Sequence, residues 1–125
     1  MTNGKYDLKD RTLKFSQDLI SLCSRIPKNY INNPIITQVV RSGTSIGANY
    51  AEADNSPTKK DFINKLSIVL KEINETKYWL EIIVGILDED KKVLARNLYK
   101  EVEELNLIFA TIVRKTKENQ NSTNH

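Results

Sequence analysis

The sequence predicts an all-α protein, an antiparallel up-and-down four-helix bundle. Two compositional facts and one pattern lead there. Only four Gly and three Pro occur in 125 residues, so few positions interrupt a helix. Hydrophobic residues make up 39% of the chain and charged residues 28%, a balance that suits a helical globular protein better than a disordered one. Apolar residues also recur in steps of three and four, the spacing at which side chains share one face of a helix. A chain of this length holds one domain with one core. That domain is expected over residues 1–117, with 118–125 a disordered polar tail.

The first helix is predicted over Asp7 to Ile26. Two adjacent apolar rows run along it, Leu13, Ile20 and Cys23 beside Phe15, Leu19, Leu22 and Ile26, and Pro27 closes it. The second opens at Asn33-Pro34, where Asn accepts from the first free amides and Pro loses nothing by lacking an N–H, and runs to about Asp54. Asn55-Ser56-Pro57-Thr58 reads as a turn, with Ser56 as N-cap and Pro57 as the first residue of the third helix. From Pro57 to about Leu87, the residues Phe62, Leu66, Val69, Ile73, Leu80, Ile83 and Leu87 form a near-heptad seam suited to bundle packing. Asp88-Glu89-Asp90 suits the positive end of a fourth helix dipole. Leu94, Leu98, Val102, Leu105, Phe109 and Ile112 then continue a matching seam. Four helices joined by short links favour antiparallel neighbours.

Nineteen basic and sixteen acidic residues leave a formal charge of +3, which permits nucleic-acid binding without demanding it. The single cysteine, Cys23, has no partner for an internal disulfide, and no leader or long apolar run stands out. A cytoplasmic protein with no membrane contact is expected.

Chemistry is sparse. Gly43-Thr44-Ser45-Ile46-Gly47 matches the Gly-x-Ser-x-Gly of a hydrolase nucleophile elbow, but that motif needs a preceding strand and a histidine base. The pattern around it is helical and the sole histidine is His125. Small residues that let helices approach closely are the better reading. One Cys and one His cannot supply a zinc set, and Glu72 and Glu75, one turn apart, read better as a solvated or ion-paired face than as metal ligands. No phosphate-cradling loop is present. No catalytic residue, metal or cofactor is therefore expected, and the protein is read as not an enzyme.

Two surfaces are candidates for interaction. On the second helix Arg41, Ser45 and Glu52 share a face with Asn49 at its edge, opposite Ile36, Val39, Gly43, Ile46 and Tyr50. This is either a solvated face or a contact in which short side chains admit another surface and Arg41 forks onto a carboxylate. On the third helix Ile68, Glu72, Glu75, Trp79, Ile82 and Ile86 form a second row beside the main seam. Left wet, each apolar member forgoes roughly 1.5–3 kcal/mol of burial, which favours a partner surface, most simply another copy of the chain. The antiparallel topology gathers Lys5, Lys9, Arg11, Lys59, Lys60, Arg114, Lys115 and Lys117 at one end, diluted by Asp7, Asp10, Asp54, Asp61 and Glu118. That end is a weak nucleic-acid contact which a ring of subunits multiplies, or a solubilising surface.

The run Arg41-Ser42-Gly43-Thr44-Ser45-Ile46-Gly47-Ala48-Asn49-Tyr50-Ala51-Glu52-Ala53 resembles the signature of a bacterial four-helix-bundle family. Asp61-Phe62-Ile63 and Leu70-Lys71-Glu72 through Glu75-Thr76-Lys77-Tyr78-Trp79-Leu80 resemble its second block. The family includes proteins encoded by intervening sequences in 23S rRNA genes and is similar to the accessory variability determinants of diversity-generating retroelements. The resemblance spans about residues 9 to 115. It implies a cyclic homo-oligomer, typically a pentamer, with no known catalysis and a role in RNA or ribonucleoprotein binding. Arg41, Ser45, Asn49, Glu52, Glu72, Glu75 and Trp79 are then assembly residues. The alternative is an adaptor whose Trp79 face docks a protein partner without touching nucleic acid.

Overall fold

The computed structural model describes residues 7–123, with side chains described for residues 7–119. Four helices follow one another, α1 Leu8–Cys23, α2 Asn32–Asp54, α3 Lys59–Val84 and α4 Glu89–Thr123. α2 packs broadly on α1 and α3, α3 packs on α4, and a thinner contact between α1 and α4 closes the four-helix bundle.

Each boundary has a chemical cause, and two caps differ from those expected. Asp7 caps α1, its Oδ1 accepting the Asp10 N–H at 3.2 Å. After Cys23 the backbone bonds tighten, Arg25 N–H to Leu22 O and Ile26 N–H to Cys23 O, each at 3.1 Å. Lys28 Nζ donates to the Cys23 and Ile26 carbonyls, so the stretch to Ile26 is a tight turn rather than α-helix. At α2, Asn29 does the work expected of Asn33: its Oδ1 accepts the N–H of Ile31 at 3.0 Å and of Asn32 at 2.7 Å, folding the chain in before the helix begins. At α3, Thr58 replaces Ser56. Its Oγ1 accepts the Asp61 N–H at 3.0 Å and donates to Asp61 Oδ2 at 2.9 Å; that local exchange leaves Pro57 outside the helix. α4 runs on to Thr123, past the boundary expected at 117, because no Gly or Pro follows Lys115 to stop it.

The core is drawn from all four helices. Phe15, Leu19, Leu22, Val39, Ile46, Leu66, Val69, Ile73, Leu80, Ile83, Val102, Leu105 and Phe109 are buried. Of the two rows on α1 only the Phe15 row turns fully inward; Leu13 is 55% and Ile20 49% exposed, on the flank of the helix beyond the core stripe. Ile63 is buried where Phe62 was expected, Ala95 rather than Leu94, and Val113 rather than Ile112. Each of these shifts is a single residue, the drift that arises when a 3.6-residue period is read as alternating threes and fours.

Close approach of α1 to α2 rests on two glycines. A Cβ at Gly43 would fall inside the van der Waals envelope of Leu19 Cδ2, with Phe15 Cε2 3.5 Å away. At Gly47 it would lie 3.0 Å from Thr12 Oγ1 and 3.1 Å from Thr12 Cβ. The Gly-x-Ser-x-Gly stretch is therefore a packing device inside a helix, with Ser45 far from any strand-to-helix elbow. Gly43→Ala gains about 1 kcal/mol of helix propensity but overpacks a fully buried leucine at a cost of about 1–3 kcal/mol. Its urea midpoint is expected to fall below that of the wild type. Gly47→Ala has the same propensity gain against a milder crowding, so its midpoint should equal or exceed the wild type; indistinguishable midpoints for the two variants would contradict this account.

Candidate functional site

The α2–α3 seam holds most of the polar contacts between helices. At its centre the Ser42 and Thr76 hydroxyls, both buried, lie 3.0 Å apart. Each also has a carbonyl in its own helix, Val39 O for Ser42 and Glu72 O for Thr76. One hydroxyl can thus donate within its helix while the other donates across the seam. A buried hydroxyl without a partner would cost about 1–3 kcal/mol, so this pair also fixes the register of α2 against α3.

On the rim above, Arg41 reaches across to α3. Its Nη1 lies 3.5 Å from Glu72 Oε1 and its Nη2 makes a close ion pair with Glu75 Oε1. The Glu75 carboxyl is held below the usual range, first by the Arg41 hydrogen bond and charge, then by Trp79 and Glu72. Arg41 is correspondingly held more basic by Glu75. Lys65 pairs with Glu52 at 3.3 Å further along the same seam. The expected motif residues therefore do converge on one face, but Arg41 and Glu52 spend their charge inside the chain. Ser45 and Asn49 turn inward on α2 itself: Ser45 Oγ donates to Arg41 O at 2.6 Å and Asn49 Nδ2 to Ser45 O at 2.8 Å. Trp79, edge-on to Tyr78 at 5.1 Å between ring centroids, buries its Nε1 beside Glu75 with no hydrogen bond of good geometry.

The basic end divides in two. Arg11 donates through Nε and Nη2 to both oxygens of Glu101, at 2.9 and 2.8 Å, and approaches Glu104 at 3.3 Å. It straps α1 to α4 over their shared groove. Arg114 pairs with Glu118 at 3.2 Å along α4. Lys9, Lys59, Lys60, Lys115 and Lys117 are exposed, with no carboxylate within ion-pair distance among the described residues. Lys5 lies outside the described residues.

Among the described residues no group of three His, Cys, Asp or Glu side chains gathers to hold a metal ion, and no helix is long and apolar enough to cross a membrane. Burial pushes the Cys23 thiol up to about 11, which leaves it un-ionised and weakly nucleophilic near neutral pH. Sequence reasoning missed Ser42 and Thr76, whose small hydroxyls look like filler between larger side chains, and a cluster on α4 around Tyr99. Tyr99 Oη lies 3.1 Å from Glu81 Oε1, and Lys77 Nζ sits 5.8 Å above its ring centre.

The model of the 23S rRNA-intervening sequence protein family aligns with residues 5–110. The chain belongs to this family. It is also similar to a crystal structure from Bacteroides thetaiotaomicron, described as a protein of unknown function from the S23 ribosomal protein family. The identity is 34% and the TM-score 0.70, with 84% of this chain and 96% of that chain covered. No curated protein matches the chain.

Two measurements check how this family member ties α2 to α3. Ser42→Ala and Thr76→Val should each cost about 1 kcal/mol in urea denaturation, and the double variant should cost less than their sum because each single change breaks the same contact. Strict additivity would mean that the two hydroxyls do not interact. For Glu75 the folded pKa lies below the unfolded value of about 4.3. Its stabilisation is therefore complete above that value and disappears as pH falls through the folded pKa. Glu75→Gln should be less stable than the wild type at pH 6, and the gap should close towards pH 3.

Proposed function

We propose that this protein is a non-catalytic cytoplasmic binding protein that assembles into a homo-oligomer and associates with RNA or a ribonucleoprotein through basic side chains. The observation that carries the reading is the set Lys59, Lys60, Lys115 and Lys117, exposed at the end where α3 begins and α4 finishes, with no carboxylate in ion-pair range among the described residues. Unpaired exposed lysines bring full charge to a phosphate, whereas paired ones must first give up a partner. Arg11 and Arg114, spent on Glu101 and Glu118, are removed from the contact set. Assembly is supported by the α2–α3 face, where Ile68 and Ile86, in the same row of α3 as Trp79, stay 39% and 37% exposed. Here Arg41, Glu72 and Glu75 act by holding that face in shape.

The second reading, a protein adaptor, has one observation in its favour, the exposed ring of Tyr78 on α3, set edge-on to Trp79. Tyrosine and tryptophan are common hot-spot residues. Salt separates the readings. Binding to a structured RNA, followed across a salt series with subunit stoichiometry measured in parallel, should weaken steeply with salt. Replacing Lys59 and Lys60 by Ala should flatten the slope of log K against log salt by about 1.4 to 1.8. Absence of binding at low salt would favour the adaptor. Arg41→Ala should shift the oligomer towards monomer in light scattering, and an unchanged oligomer would remove Arg41 from assembly.

A further inference from the structure

A second set of cations, separate from the helix end, lies along the same pair of helices. Between α3 and α4 a groove of about 430 Å³ is lined by Glu81, Val84, Arg96, Tyr99, Lys100 and Glu103. Lys77 stands over the Tyr99 ring at its edge. Arg96 and Lys100 are exposed, and neither they nor Lys77 have a carboxylate in ion-pair range among the described residues. The walls are a tyrosine ring, a valine and the stems of the charged side chains, and Lys77, Arg96 and Lys100 outnumber Glu81 and Glu103 at the rim.

Topology connects this groove to the lysines already described. α3 and α4 are antiparallel neighbours, so the step from Lys60 up to Lys77 and the step from Lys117 back to Lys100 cover the same rise, roughly 26 Å at about 1.5 Å per residue. Lys59 and Lys117 fall on the helix flanks that face the α3–α4 seam, by the same 100° progression that places Lys77 and Tyr99 there. Both cation clusters thus lie on one face of the molecule, at its two ends.

We propose that the α3–α4 face is a track for single-stranded RNA, with phosphates held by the Lys59 and Lys117 end and by Lys77, Arg96 and Lys100, and with a base seated against Tyr99. This rests on the RNA reading above and adds the surface, the strandedness and an aromatic contact. Single strands are bound by this combination, because a cationic groove follows the backbone while a side-chain ring takes the face of an unpaired base. A duplex hides its base faces and would gain only from the cations. Glu81 and Glu103 offset part of the positive charge, so the phosphates are held at the Lys77, Arg96 and Lys100 side of the groove and the base at the acidic side. Both carboxylates sit at the groove where exocyclic amino groups of a base need acceptors, and Glu81 already accepts the Tyr99 hydroxyl. Lys77, half-buried over the ring, moves aside to admit the base.

The test uses the full chain and a fluorescein-labelled single-stranded oligoribonucleotide, read by anisotropy from low to moderate salt, with a duplex of the same length as comparison. Arg96→Gln with Lys100→Gln is expected to weaken single-strand binding about tenfold and to flatten the salt slope by about 1.4. Tyr99→Phe should bind like the wild type, whereas Tyr99→Ala should lose about fivefold or more on the single strand and little on the duplex. Tyr99 also packs against the core, so the circular dichroism spectrum of Tyr99→Ala is compared first; the glutamine pair, on exposed positions, keeps the test open if that variant misfolds. If the wild type binds with a steep salt slope and the groove variants bind equally well, the track is overturned and the RNA reading stands. If the wild type binds neither oligonucleotide at low salt, the RNA reading itself fails.

Discussion

The bundle depends on how closely α2 can sit between its two neighbours. On one side Gly43 and Gly47 remove the side chains that would keep α1 away, and Leu19 and Thr12 occupy the space. On the other, Ser42 offers a hydroxyl rather than a methyl group, and Thr76 answers it across the seam. The first contact is pure shape and the second is a hydrogen bond with both partners buried. Together they set α2 to within one residue of register on each side, because a shift would drive a methyl group into Leu19 or strand a hydroxyl in the core. Everything placed on α2 and α3, including the Arg41 pairs with Glu72 and Glu75, inherits that register.

Charge is then sorted by flank. The α2 side of α3 carries Glu72 and Glu75, both engaged by Arg41, while the α4 side carries Lys59 and Lys77. The sorting is partial, since Lys65 also faces α2, where it pairs with Glu52, and Glu81 faces α4, where it meets Tyr99. An exposed ion pair contributes little to stability, since solvent screens it and two long side chains must be ordered. The Arg41 cluster matters more for what it removes from the surface, a guanidinium and two carboxylates that would otherwise compete for partners. The same holds for Arg11, which Glu101 and Glu104 retire from the basic end.

Much of this was legible in the sequence, and the failures have a common cause. The four helices, their order and most of the core follow from the spacing of apolar residues and from Pro27, Pro34 and Pro57. The substitutions of Ile63 for Phe62 and Ala95 for Leu94 do not, because periodicity fixes a stripe and tertiary packing decides which edge of the stripe turns in. Hydrophobicity even misleads at Ala95, where the smaller residue is buried and Leu94 beside it is 40% exposed. Caps fail for a similar reason. Asn29 and Thr58 each act through a hydrogen bond made two or three residues on, and Asn33 and Ser56 offer the same chemistry nearby. In the candidate surface, composition identified the cations but could not pair them. Arg11 and Lys59 look alike in sequence, and only the position of Glu101, ninety residues away, separates a structural strap from an available charge.

That separation bears on what an oligomer would add. On the proposed reading, the face that assembles lies between α2 and α3, and the face that meets RNA lies between α3 and α4, so α3 is shared but its two flanks are not. Assembly on one flank leaves the other open in every subunit. Each copy alone offers a handful of unpaired cations, too few for tight binding at physiological salt, where each phosphate contact contributes little on its own. Repeating the track around a closed ring places several such segments on one nucleic acid, and the second and later contacts are intramolecular, with affinity multiplied by effective concentration rather than by new chemistry. A net charge of only +3 per chain is therefore compatible with RNA binding, provided the assembly keeps the α3–α4 faces on one side.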